Sequence, residues 1–430
     1  MVDPSNCCGS FLVLQPTYIA REMVNTPEEA AKLLLARHDL SLTSIRTLVS
    51  LWAGYGSICS VTARAGSDEA AAAIADRLYG SSLKAKKDTD IPLILKFISP
   101  PKAKKGDEGH LRKILSYEVE QHFYGQITRS LPDNVKVAKC LASTGMTQDG
   151  MEGVVAMLME DLRVSFDVAG GKRANLQPSQ VHAALDWLAR FHQTTKSLCP
   201  KDSRDRFVLP PLEEAKRRDS GDGGDKVWLN GGYTYLATRQ KEFTDLKHDA
   251  SSEWSATFCK VQPTLGCNIA EAVARVLTPR GRAAESYIHG DVKSENLFTT
   301  KQGDKVAFFD FQYVGLGLGV CDLAKLFTCS LPISMLGNDG EEVIPASAEE
   351  LDLLRRYRET VAAGRDSIEY NEEEFRRHWE CALVDWCRFQ ASWGFWGNTE
   401  WLEGRVRWIL RDPEWLKWLK NDLNSIDRGS

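Results

Sequence analysis

The chain has 430 residues, 43% of them hydrophobic and 26% charged, with a formal net charge of −5. That length suits two lobes with separate cores. The mild acidity gives no reason to expect nucleic acid or an anionic membrane as partner, and no apolar run approaches the ~18 residues of a membrane span.

The first stretch, MVDPSNCCGSFLVLQPTY, holds only the short apolar run FLVL, too brief for a secretory signal. Cys7 and Cys8 make a weak acylation motif, and two thiols in a frayed tail are the favoured reading. Residues 1–25 are therefore read as a tail. Eleven cysteines, an odd number with no CxxC pair, suit reduced thiols in a cytoplasmic protein.

Residues 26–49 begin TPEEAAKLLL, a helix-start signature followed by a leucine stripe. LWAGYGSICSVTARA (51–65) has the small and β-branched residues of a hairpin. Residues 66–90 predict a helix and an exposed loop, and IPLILKFI (91–98) a dense strand with one internal charge, Lys96. After a polar connection, LRKILSYEVEQHFYGQI places Leu111, Ile114, Leu115, Val119, Phe123 and Ile127 at helical spacing. VKVAKCLAS and GVVAMLMEDL read as strands.

Past Leu162 the pattern turns helical, starting with SQVHAALDWLARFHQTT (179–195). The charged, Gly-containing stretch 201–225 reads as a loop or insertion. SYIHGD and KVAFFDF are the two short strands expected in this half. The last fifty-odd residues are helical by pattern and hold eight of the twelve tryptophans. The expectation is an α+β chain: a tail (1–25), a sheet lobe (26–160) and a mostly helical lobe (161–430).

The chemistry is concentrated in YIHGDVKSENLF (287–298) and AFFDFQYVG (307–315). Phosphoryl transfer needs divalent ions bridging nucleotide phosphates, a cation on those phosphates, and a group that orients the attacking hydroxyl. Mg²⁺ is satisfied by one carboxylate and one amide oxygen beside water and phosphate. Asp310, at the end of an apolar run, is placed to supply the carboxylate and Asn296 the amide oxygen. Asp291, in the same loop as Asn296, would face the substrate hydroxyl. His289 fits a loop-tying role better than that of a base.

HGDVKSEN followed by FFDFQ resembles the protein-kinase pair H-R-D-x-K-x-x-N and D-F-G. With the glycine after His289, and DFQYVGLGLGVCDLAKLF, the chain is more similar to the aminoglycoside phosphotransferase and choline kinase superfamily. Within it, the nearest likeness is to the ecdysteroid-kinase-like group, which shows HGD-x-K-x-x-N, DFQYVG and a downstream DLA. The resemblance covers roughly residues 50–400. It implies a protein-kinase-like fold, with a small antiparallel-sheet N-lobe and a larger helical C-lobe, that uses ATP and Mg²⁺ to phosphorylate a hydroxyl of a small molecule.

The resemblance also assigns roles in the N-terminal half. Lys96 would grip the α- and β-phosphates, and Glu120, in EQHFYG, would hold Lys96; Glu118 would point elsewhere on the helix. Gly54, Gly56 and Ser57 would cover the phosphates with backbone N–H groups. Met159, Glu160 and Asp161 would present their backbone to adenine.

Each role has a plainer counterpart. Lys96 is alternatively an edge-strand lysine, Gly54 and Gly56 hairpin glycines, and Glu120 a surface glutamate. Asp322, in CDLAKLF, is read as bracing the catalytic loop or capping a helix rather than binding metal. Lys293 either contacts the transferred phosphate or is merely exposed. Trp386, Trp393 and Trp396 with Phe389 suit a packed helix face more than an aromatic box. Asp385, Trp386 and Arg388 are candidate acceptor contacts.

Three readings compete: a small-molecule kinase, a catalytically silent nucleotide-binding scaffold, and a protein kinase. The last lacks an Ala-Pro-Glu motif, and the eleven residues between Asp310 and Asp322 leave no room for a long activation loop. The acceptor's identity and the oligomeric state are not written in the sequence.

Overall fold

The computed structural model describes residues 25–104, 106–144, 154–200, 206–219, 226–337, 341–363, 367 and 370–429. Cys7, Cys8 and all but the last residue of the expected tail lie outside the described residues.

The first helix, α1 (Pro27–Ala36), starts on a reciprocal cap. The Glu29 N–H donates to the Thr26 hydroxyl at 3.2 Å, and the Thr26 N–H donates to the Glu29 carboxylate at 3.0 Å. The leucine stripe stops where Asp39 turns left-handed (φ 55°), and the chain continues as β1 (Leu40–Ser50). That strand is a correction to the sequence reading. Its Thr, Ile and Val favour extended chain, but only Leu40 is buried, so it carries no clear alternation.

β2 (Gly56–Ala65), β3 (Ile91–Ile98), β4 (Cys140–Ser143) and β5 (Val155–Glu160) complete an antiparallel sheet in the order β1-β2-β3-β5-β4. Of VKVAKCLAS only the last four residues join it. Side chains alternate across a strand, so Ile91, Leu93, Leu95 and Phe97 pack with α1 and with α2 (Asp68–Tyr79). Ile94 and Lys96 are thereby turned to the opposite face, toward α3 (Glu108–Gly125).

The second half holds β6 (Val168–Ala169), α4 (Pro178–Lys196), α5 (Pro211–Asp219), α6 (Gln240–His248), α7 (Glu253–Cys259) and the small hairpin β7 (Val261–Gln262) and β8 (Cys267–Asn268). Helix α5 corrects the expected loop at 201–225. It has Pro at its start, Glu213 and Glu214 in its first turn and Lys216, Arg217 and Arg218 in its last, matching the helix dipole. The chain ends with α8 (Ile269–Leu277), α9 (Val320–Ser330), α10 (Ala348–Ala362), α11 (Glu372–Trp393), α12 (Thr399–Arg411) and α13 (Pro413–Gly429).

Between α8 and α9 lie β9 (Glu285–Ile288), β10 (Leu297–Thr299), β11 (Val306–Phe308) and β12 (Gly315–Leu318). β9 pairs with β12, and β10 with both β11 and β6. The two strands expected from sequence are thus shorter than their motifs: His289–Asp291 and Phe309–Phe311 lie just past strand ends, in loops.

The architecture is the two-lobed α+β, kinase-like arrangement. A large core runs from α3 through the helical lobe, and a second core lies between the sheet and α1–α2. Rings fasten one lobe to the other. Phe123 of α3 stacks on Phe311 at 3.9 Å between centroids, and His289 lies 4.5 Å from the same ring. Among the described residues no helix is long and apolar enough to cross a membrane.

Candidate active site

Lys96 lies at the centre of the cleft. Its Nζ donates to Glu120 Oε2 at 2.6 Å and to Asp310 Oδ1 at 2.9 Å. Lys96 is 4% exposed and Glu120 1%. Burial alone lowers the pKa of an ammonium, but Asp310 and Glu120 together raise that of Lys96. Burial raises the Glu120 carboxyl to about 7 against the opposing pull of Lys96, with Asp310 adding to the rise. Burial also works upward on Asp310, but Lys96, Lys293 and Gln312 hold it below the usual range. Glu118, two residues from Glu120, instead pairs with Arg218 of α5 at 2.7 Å.

Asp310 has a left-handed backbone (φ 66°), rare for a residue with a side chain. Three contacts from α3 surround it: Lys96 bound to Glu120, the Phe123–Phe311 stack, and the Ser116 hydroxyl donating to Gln312 Oε1 at 3.1 Å. Gln312 Nε2 in turn donates to Asp310 Oδ1 at 2.7 Å. The glutamine of FFDFQ was the available signal for this role, and sequence reasoning gave it none.

The loop after β9 is held from below by Asp322, the buried carboxylate of α9. It accepts from the backbone N–H of His289 (2.7 Å) and Gly290 (2.9 Å), while His192 Nε2 lies 3.1 Å away. His192 Nδ1 is 2.7 Å from the Tyr357 hydroxyl. Burial works against ionisation of Asp322, but His192 and the Lys325 ammonium outweigh it and depress its pKa. Gly290 has φ 83°, and a Cβ there would lie 2.3 Å from the Tyr313 carbonyl oxygen. Glycine is therefore required at that position.

His289 is fully enclosed, and burial lowers its pKa, so it is neutral. Nε2–H donates to the Phe309 carbonyl at 2.9 Å, and Nδ1 accepts from the Asp291 N–H at 3.2 Å. Both ring nitrogens are engaged in tying the loop. Asn296 Nδ2 donates to the Asp291 carbonyl (2.8 Å) and to Asp291 Oδ2 (3.0 Å). Lys293 Nζ lies 3.2 Å from Asp291 Oδ2 and 3.2 Å from Glu295 Oε1.

These bonds decide which oxygens face outward. With its amide nitrogen doubly engaged, Asn296 Oδ1 has no partner among the described residues, and neither has Asp310 Oδ2. One carboxylate oxygen and one amide oxygen, brought near by the Phe309 N–H donating to the Asn296 carbonyl (3.0 Å), fit a hard cation that keeps waters and phosphate oxygens as its other ligands. Among the described residues no group of three His, Cys, Asp or Glu side chains gathers as a metal cage.

A cavity of about 450 Å³ opens above Lys96, walled by Leu48, Ile58, Ile94, Met159 and Phe309 among others. Glu160 and Asp161 lie on this wall, but their backbone donors are taken. The Glu160 N–H bonds the Lys139 carbonyl at 2.8 Å and the Asp161 N–H bonds the Tyr79 hydroxyl at 3.0 Å. Their side chains pair with Lys136 (2.7 Å) and Arg163 (2.6 Å). Of the backbone expected to meet adenine, these two N–H groups are therefore already engaged. Leu162 N–H, next in the chain, has no partner among the described residues.

The glycine turn lies at the edge of this cavity, between Leu51 and Ile58 of its wall. Gly54, Gly56 and Ser57 are not on this cavity's wall, and the Gly54 N–H bonds the Leu51 carbonyl at 3.3 Å. Gly56 is small because a Cβ there would lie 2.0 Å from the Phe97 carbonyl oxygen of β3. Packing against the neighbouring strand by itself requires a glycine there.

A second cavity of about 460 Å³ lies on the other side of the loop, lined by Asp291, Lys293, Tyr313, Trp386, Trp393 and Trp396 among others. Trp386 is buried and stacked on Phe389, yet also reaches this wall. Asp385 and Arg388 do not line it. They bond each other at 2.7 Å, Arg388 is completely buried, and its second bond runs to the Thr234 carbonyl. Asp385 lines a smaller cavity together with Lys325 and Trp386.

The sequence model of the ecdysteroid kinase-like family matches residues 73–356. Among solved structures the chain is similar to a macrolide 2′-phosphotransferase from Brachybacterium faecium, with 13% identity, 92% of this chain and 98% of that chain covered, and a TM-score of 0.42. It is similar too to an ethanolamine kinase from Plasmodium vivax, with 12% identity, 91% of each chain covered and a TM-score of 0.38. No curated protein matches it.

Proposed function

This chain belongs to the ecdysteroid kinase-like family, and on that premise we propose that it transfers the γ-phosphate of ATP to a hydroxyl of a small-molecule acceptor. The observation that carries the reading is Lys96, shared by Glu120 and Asp310 in a cleft between two cavities of similar size. The apolar one suits a base and ribose, and the one beside Asp291 suits an acceptor.

Lys96 binds the α- and β-phosphates, and Glu120 holds it in place. Asn296 Oδ1 and Asp310 Oδ2 would hold Mg²⁺, which supplies charge neutralisation on the phosphates when bound. Asp291 receives the acceptor hydroxyl and takes its proton as the new O–P bond forms and the bond to the leaving ADP breaks. Lys293 steadies the Asp291 carboxylate and lies within reach of the transferred group. Leu162 N–H is the donor proposed for the base. The sheet lobe ends, in this proposal, near residue 160, where β5 stops.

The test is a screen of metabolite extracts for transfer from γ-labelled ATP, with mass spectrometry of the product. The wild-type chain is expected to label a small hydroxyl compound. Asp291→Asn is expected to keep nucleotide binding and to lose transfer by ~100-fold or more. Labelling of an identified acceptor by Asp291→Asn at the wild-type rate would remove Asp291 from this role.

A further inference from the structure

The cavity beside Asp291 carries a charge that phosphoryl transfer leaves unused. Lys325, on α9, lines its wall and is 4% exposed. Its Nζ lies 3.3 Å from the Cys321 carbonyl oxygen, one helical turn back, and 5.6 Å from the centroid of the Trp386 ring. Among the described residues no carboxylate comes within ion-pair distance of it. Lys96, equally buried, has two such carboxylates. The Asp322 carboxylate, three residues back on α9, acts on it from beyond that distance, and Asp385 shares a smaller adjoining cavity with it; a buried ammonium whose one direct partner is a carbonyl still has room for a ligand that completes it.

The surroundings have the same sign. Arg112 and Arg239 reach the same wall and share one carboxylate, Glu242, at 3.8 and 3.1 Å. Lys172 and Arg173 stand at the rim. The wall's own carboxylates, Asp291 and Glu295, are both already engaged by Lys293. Lys325 is also close to the reacting loop: a Cβ on Gly232 would lie 3.5 Å from its Nζ and 3.6 Å from the Gly290 carbonyl oxygen. The ammonium and the peptide preceding Asp291 therefore face each other across one glycine. An amine acceptor would meet repulsion here; an oxyanion would not.

We propose that the cavity beside Asp291 takes an anionic alcohol, a ring-bearing apolar body carrying a carboxylate, sulfate or phosphate, and that Lys325 is the residue that binds its anion while Trp386, Trp393 and Trp396 cover the body. The proposal deepens the kinase reading, and only the word alcohol rests on that reading, because anion binding is measured without turnover.

The probe is anilinonaphthalene sulfonate, compared with its uncharged relative phenyl-naphthylamine, each titrated by fluorescence into the full chain. The sulfonate is expected to bind at least ~10-fold more tightly than the neutral dye, and Lys325→Met to remove that preference. Lys325→Gln serves as the second variant if the methionine disturbs the fold. A hydroxysteroid carboxylate, but not its methyl ester, is expected to displace the sulfonate.

Absence of sulfonate binding, equal affinity for the two dyes, or an unchanged preference in both Lys325 variants overturns the proposal. A non-hydrolysable ATP analogue with Mg²⁺, titrated into the same proteins, reads the kinase site separately. Its failure to bind the wild-type chain counts against the kinase reading alone.

Discussion

Lys96 and Asp310, 214 positions apart in the chain, meet at 2.9 Å between the sheet lobe and the helical lobe. Neither residue reaches that point by local structure alone. The alternation of β3 turns Lys96 away from the α1–α2 core, and the end of β11 leaves Asp310 in a left-handed conformation that needs support. Support comes from α3, whose Glu120, Phe123 and Ser116 act on Lys96, Phe311 and Gln312 in turn. One helix thus sets both the phosphate-facing cation and the carboxylate proposed for the metal.

Asp322→Asn is expected to damage the loop without touching the nucleotide cavity. The Asp322 carboxylate accepts two backbone N–H groups and faces His192; an amide cannot accept from all three. Unfolding in urea is expected to show a loss of ~3 kcal/mol. In protein still folded, transfer is expected to fall while nucleotide affinity holds. Unchanged stability and transfer would mean that Asp322 does not brace the loop.

Tyr79→Phe tests the wall that faces the base. The Tyr79 hydroxyl donates to the Pro92 carbonyl and accepts from the Asp161 N–H, joining α2, β3 and the segment after β5. Removing it leaves two buried backbone groups unmet, a loss of ~1–3 kcal/mol in stability. Nucleotide affinity is expected to weaken with it, since the Asp161 N–H that Tyr79 holds lies next to Leu162 on the cavity wall. Calorimetric titration of the variant at full affinity would contradict this.

The site's elements differ in how they show in the sequence. Asp291, Asn296 and Asp310 sit in two short motifs whose spacing carries chemistry, and Lys96 stands out as a charge inside an apolar strand. Tyr79 and Lys325 have no such signature. Tyr79 meets Asp161 across 82 positions, and Lys325 is an ordinary lysine until α9 buries it. Strand β1 was hidden by its lack of clear alternation, and α5 by the charged stretch around it. That Gly56 must be glycine for packing was hidden too, because sequence cannot show that β3 passes beneath it.

Acid is expected to weaken the fold through His378. Burial, with Arg282 and Arg280 nearby, pushes its pKa down to about 3. The unfolded histidine takes a proton near pH 6.5, so its contribution is complete above that value and is lost as pH falls toward 3. At pH 5 the loss is ~2 kcal/mol. Glu120, raised to about 7, works in the opposite direction between pH 4.5 and 7, so the comparison is with His378→Phe rather than with zero. Relative to the wild-type chain, His378→Phe is expected to gain ~2 kcal/mol at pH 5 over pH 7, read from urea unfolding at the two pH values; an equal pH response in the two proteins would exclude His378 as the cause.

Calorimetric titration of a non-hydrolysable ATP analogue, with and without Mg²⁺, into the wild-type chain and Asp310→Asn addresses the phosphate site itself. The account predicts tight binding only with Mg²⁺ in the wild-type chain, and ~100-fold weaker binding in Asp310→Asn. Binding that ignores Mg²⁺, or that survives the loss of the Asp310 carboxylate unchanged, would contradict it.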